Sequence, residues 1–168
     1  MDSNGFVEEL TLNEEACRSK NMYLYKQGGG GKFYIGPPWD FDAWTFGYWV
    51  GPAIGYEKLE VLPPGISDRY WTLNSTVYFK ELFEDPVFVK RLKEKWKTYR
   101  PILESEIPRY IDERYELIHL AAERNDNMWP VWDPRWNYPK VSYKQCVQEM
   151  KENFMSQLDI TDSFINSL

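Results

Sequence analysis

The chain of 168 residues is poor in the residues that most often carry soft-metal and redox chemistry: it has two cysteines, Cys17 and Cys146, and one histidine, His119. Two thiols make at most one bridge, and without ligand spacing between them a structural zinc site is nearly excluded. Basic charge is also scarce, with 20 Lys and Arg against 26 Asp and Glu, so the chain is net −6. That balance argues against a nucleic-acid or anionic-membrane surface. Long apolar runs are missing too. No stretch approaches the roughly 18 to 20 uninterrupted apolar residues of a membrane span, and Met1–Asp2–Ser3–Asn4 opens neither a basic nor an apolar leader region. What the chain has in surplus is aromatic side chains, 8 Trp, 12 Tyr and 9 Phe, which is core-forming material and excludes a disordered tail.

The length fits one domain, 1–168, whose character changes near residue 75. The region 1–75 is rich in Gly, Pro and aromatic residues with short β-prone runs, and 76–168 carries helical periodicities with few glycines. Asp85 followed by Pro86 predicts a helix start, and Phe88, Leu92, Trp96, Tyr99 and Leu103 predict its apolar face. Pro101 predicts an interruption, and Ser105 a second helix with Pro108 in its first turn. Its face would carry Ile111, Tyr115, Ile118 and Ala122, and it would stop near Asn125 to Asn127. A third helix is predicted from about Ser142 along Tyr143, Val147, Met150, Phe154 and Leu158. The tract Trp129 to Pro139 between them reads as an ordered aromatic loop.

In the first region Phe6 to Leu12 reads as the last turns of a helix. Met22 to Lys26 and Lys32 to Ile35 read as two strands joined by a Gly28 to Gly31 turn. That turn is not a phosphate loop. A P-loop needs a glycine five residues before the Gly-Lys pair and a Ser or Thr after it, and those places hold Lys26 and Phe33. The second strand leads into Gly36-Pro37-Pro38-Trp39-Asp40-Phe41-Asp42. Two carboxylates one residue apart at a strand end project to one side, where they repel unless a cation lies between them. Mg²⁺ commonly takes one or two carboxylates and leaves its other positions to water and phosphate. The alternative is that Asp40 caps a turn and Asp42 pairs with a basic side chain.

The order of helix end, polar loop (Asn13 to Asn21), hairpin and acidic motif is that of the protein-kinase catalytic loop and metal site. Glu9-Leu10 with Asn13, Tyr23-Leu24-Tyr25-Lys26, Gly31-Lys32 and the Gly36 to Asp42 run closely resemble the second half of the spore coat protein H (CotH) kinase family. The similarity continues through Asp85-Pro86, Phe88, Arg91 to Trp96, the Ile111 helix, Trp129-Pro130 and the final helix. The resemblance implies an α+β, predominantly helical fold, with a short hairpin ending in Trp-Asp-Phe-Asp packed on a C-terminal helical bundle, like the C-lobe of a kinase. It implies transfer of phosphate from ATP to Ser or Thr of a protein substrate, with Mg²⁺ or Mn²⁺ held by Asp40 and Asp42 and with Asn21 as a further metal ligand. The family's Asn-x-Asp loop falls on Asn13-Glu14-Glu15, which makes Asn13 and Glu15 the catalytic candidates with Glu15 in the Asp place. A nucleotide-covering lobe would precede these residues, so the chain reads as part of a longer CotH-like protein. Family members are spore-coat, cell-surface or secreted proteins, which is the location implied.

Two other readings stand beside the kinase. One is a non-catalytic, pseudokinase-like scaffold, suggested by Glu15 and the aromatic surplus. The other is a metal-dependent nucleotide-sugar transferase using Asp-x-Asp, which lacks a supporting βαβ pattern. Elsewhere the non-catalytic readings are preferred: His119 as a surface or helix-packing residue, the tryptophans as core rather than a binding groove, and Asn74-Ser75-Thr76 as a sequon meaningful only in a secretory setting. The sequence leaves the substrate and the oligomeric state open.

Overall fold

The computed structural model describes Leu10 and residues 23–37, 81–129 and 142–168. These form a two-stranded antiparallel hairpin, β1 (Leu24–Lys26) and β2 (Phe33–Ile35), and two long helices, α1 (Pro86–Met128) and α2 (Tyr143–Ser167). The described part is predominantly helical, as expected. Among these residues no helix is long and apolar enough to cross a membrane.

Both helix starts follow local chemistry. The Asp85 side chain accepts a hydrogen bond from the Val87 amide at 2.8 Å, with Pro86 at the first helical position, where its missing N–H costs nothing. Ser142 caps α2 in the same way, its Oγ accepting from the Gln145 amide at 3.1 Å. α1 ends at Met128, beside the predicted Asn125 to Asn127 stop, where the Trp129 amide donates to the Asn125 carbonyl.

The predicted break at Pro101 is corrected. Pro101 and Pro108 both lie inside one helix of 43 residues. Ser105 does not cap a new helix: its Oγ donates back to the carbonyls of Pro101 and Ile102, at 3.1 and 3.2 Å. Each proline withholds one backbone donor, a penalty of about 3 kcal/mol in a helix interior. Packing offsets it, because Leu92 and Trp96 before the prolines and Leu103 and Ile107 between them belong to or pack on the core. Burying such side chains contributes about 1.5–3 kcal/mol each.

α1 and α2 run antiparallel, as the partners along their seam show. Trp96 meets Asp162, Arg100 meets Asp159, Lys151 meets Asp112, and the Tyr115 ring stacks on Tyr143. The core consists of Leu92 and Trp96 from α1, Phe154, Leu158 and Ile165 from α2, and the helical residue Leu10. Phe83 closes its end edge-on to both Phe88 and Phe164.

Two expected face residues are also corrected. Tyr99 and Ile118 are 38% and 44% exposed, while Arg100 and His119 beside them are half-buried. The less exposed stripe advances by nearly four residues per turn through 92, 96, 100, 103, 107, 111, 115 and 119, so it drifts off the straight 3.6-residue stripe that would include Tyr99 and Ile118.

Candidate functional site

The hairpin directly precedes the acidic motif in the sequence. Leu24 pairs with Ile35, Tyr25 with Tyr34 and Lys26 with Phe33, and the directly opposed Tyr25 and Tyr34 rings stack at 5.2 Å. The turn is built as expected for a glycine run, Gly29 and Gly30 having φ of 79° and 91°, values that L side chains rarely adopt. One further rung closes below the ladder, where the Gly36 amide donates to the Tyr23 carbonyl at 3.0 Å. Gly36 is buried and has φ 128°, and its peptide bond to Pro37 is cis. A glycine is therefore required where the chain leaves the hairpin toward Trp39, Asp40 and Asp42.

The residues proposed from sequence for chemistry, Asn13, Glu15, Asn21, Asp40 and Asp42, lie outside the described residues, as do Cys17 and the Trp132 and Trp136 part of the aromatic tract. Among the described residues no group of three or more His, Cys, Asp or Glu could hold a metal ion. The metal reading therefore rests on the Asp-x-Asp donor set, whose hard carboxylate oxygens suit Mg²⁺ or Mn²⁺.

His119 is a packing residue. Its Nδ1 lies 3.2 and 3.1 Å from the Tyr115 and Glu116 carbonyls, and its ring stacks on Tyr115 at 5.2 Å. Cys146 is a half-buried thiol on α2.

The densest polar constellation described is the ionic seam between the helices, which sequence reading did not anticipate. The Trp96 indole N–H donates to Asp162 at 2.8 Å. The Arg100 guanidinium donates to Asp159 at 2.9 Å and to Glu104 at 2.7 Å, with its Nε 3.4 Å from Asp162. Asp159 and Asp162 are three apart on α2, a spacing that places both on one helix face and could have flagged a basic partner. This network fixes register and leaves no reactive group poised. Farther along α1, Arg109 is clamped between Glu106 and Glu113. The Glu106 hydrogen bond, followed by the charges of both carboxylates, raises its pKa above the ordinary value and keeps it charged. Two shallow concavities lie on the first turns of α1, one of 340 Å³ lined by Arg91, Glu94, Lys95, Thr98 and Tyr99, the other of 400 Å³ lined by Pro86, Val87, Lys90, Arg91 and Glu94.

Comparison with known proteins gives a family. Residues 7–166 match the family described as CotH kinase protein, so the chain belongs to the CotH kinase family, and the match includes the hairpin, the acidic motif and both helices. No curated protein and no solved structure is significantly similar to it.

Proposed function

We propose that the chain is the metal-binding and catalytic-loop part of an atypical protein kinase, transferring phosphate from ATP to Ser or Thr of a protein substrate. The observation that carries this reading is the family match over residues 7–166, which includes the acidic pair that follows Gly36. Asp40 would hold a divalent ion, Mg²⁺ or Mn²⁺, with Asp42 assisting and Asn21 as a further ligand. That ion would neutralise charge on the ATP phosphates. Asn13 and Glu15 belong to the loop that faces the substrate hydroxyl, Glu15 orienting it. The hairpin's part is to deliver the acidic pair from a rigid exit, since a displacement of about 1 Å at a reacting group can cost roughly a hundredfold in rate.

The test is thermal unfolding with Mn²⁺ alone, ATP alone and both together, beside Asp40→Asn. A ligand that binds only the folded state stabilises it by about 2.7 kcal/mol at a hundred times its Kd. The expected outcome is a rise in midpoint that needs both ligands and is absent in the variant; equal shifts in the two proteins would sink the assignment of Asp40.

A second reading is favoured by Glu15 itself. A Glu in the Asp place carries an extra methylene and shifts the carboxylate by about an ångström, which suits a pseudokinase-like scaffold that keeps the fold without the transfer. Phosphate incorporation that disappears in Glu15→Gln would remove this reading.

A further inference from the structure

α1 is electrically polarised. Its first 15 residues, 86–100, hold Lys90, Arg91, Lys93, Lys95, Lys97 and Arg100 against Glu94 alone, for a net charge of +5. The following 28 residues, 101–128, hold seven acids and three bases, for a net charge of −4. The two halves also differ in how their cations are used. Arg100 and Arg109 are ion-paired, whereas among the described residues Lys90, Arg91, Lys93, Lys95 and Lys97 have no ion-pair partner. The basic cluster sets like charges at neighbouring positions on the helix, Arg91 with Lys95 and Lys93 with Lys97 at i,i+4, an arrangement that is mildly destabilising. Folding therefore gains nothing electrostatically from this arrangement.

The surface shape carries the argument further. The concavities on the first turns share Arg91 and Glu94, so they form one shallow trough along the helix. Val87 and Tyr99 in its lining are 57% and 38% exposed, and Ile102, three residues beyond Tyr99 on α1, is 52% exposed. A trough that alternates cations with aliphatic and aromatic surface, and contains one carboxylate, matches a polypeptide bearing acidic and apolar side chains. A polyphosphate backbone would be repelled by Glu94 and by the net charge of −6, and would leave Val87 and Ile102 without contacts.

We propose that the first half of α1 is a docking surface for an acidic, partly apolar segment of another protein, held by Lys90, Arg91 and Lys95 and seated against Val87 and Tyr99. The proposal does not depend on phosphate transfer.

The test is fluorescence anisotropy of a labelled peptide of Glu, Asp and Leu titrated with the chain, beside a peptide in which Lys replaces the acids. The expected result is saturable binding of the acidic peptide only, weakening as salt shortens the screening length from about 8 Å at physiological ionic strength. Lys90→Gln/Arg91→Gln/Lys95→Gln should weaken it by about tenfold or more, and Lys144→Gln, which removes an exposed cation on α2, should not. Circular dichroism of each variant checks that the helices persist, and the single variant Arg91→Gln provides a milder substitution with a proportionate loss. Absence of binding to the acidic peptide, or equal losses in the α1 and α2 variants, would overturn the proposal. So would tighter binding of a single-stranded oligonucleotide, which would assign the surface to nucleic acid. Self-association in sedimentation that the triple variant abolishes would overturn it in favour of a second copy of the chain.

Discussion

Gly36 shows how one backbone angle constrains a residue choice. With φ at 128° and its amide bonded to Tyr23, it combines a turn that L residues avoid with the last rung of the hairpin. Gly36→Ala should cost about 1–3 kcal/mol, read as a lower denaturant midpoint at unchanged slope. The Gly-Pro pair is visible in the sequence, but the sign of its φ is not, because the angle is set by the rung it closes. At Trp96 the position was legible and the partner was not. The apolar spacing put the ring in the core, while the bond from its indole N–H to Asp162 spans 66 residues of sequence and depends on helix pairing. Trp96→Phe keeps most of the ring and loses a hydrogen bond to a charged acceptor, for an expected loss of about 1.5–3 kcal/mol in chemical denaturation. If the variant is as stable as the parent, the indole bond contributes nothing.

At the scale of elements, starts were readable and continuity was not. Asp85-Pro86 and Ser142 act within three residues of themselves, so their capping chemistry is written locally. Whether Pro101 ends a helix depends on what Leu103 and Ile107 gain by continuing, and that is decided by α2 some fifty residues later. The hairpin, by contrast, was set by its own glycine turn and short strands. A direct check follows from the two prolines. If α1 is continuous, Pro101→Ala and Pro108→Ala each restore a backbone donor and should stabilise the protein by roughly 1–3 kcal/mol. Thermal unfolding reads the gain, and an unchanged or lower midpoint for both variants would argue for two helices. The acidic motif was legible only as a pattern, since the role proposed for Asp40 and Asp42 involves a metal and a nucleotide rather than other residues of the chain.

At the scale of the molecule, the dominant feature among the described residues is a mismatch of lengths. At 1.5 Å per residue, α1 with 43 residues extends about 64 Å and α2 with 25 about 37 Å. Since Tyr143 at the start of α2 stacks on Tyr115, the α1 segment from Glu116 to Met128 runs past the end of its neighbour. There Leu117, Leu120 and Met128 are 71%, 64% and 70% exposed. An isolated helix of such length is marginal in water because so few hydrogen bonds repay its nucleation. Opening of this overhang need not disturb the Leu92, Trp96 and Leu158 core, so the two ends of one helix should belong to different cooperative units. Native-state amide hydrogen exchange would then show protection falling along α1, with amides near Leu103 exchanging only by global unfolding and those beyond Leu117 by local opening. The longest element among the described residues would be continuous in geometry and divided in its thermodynamics.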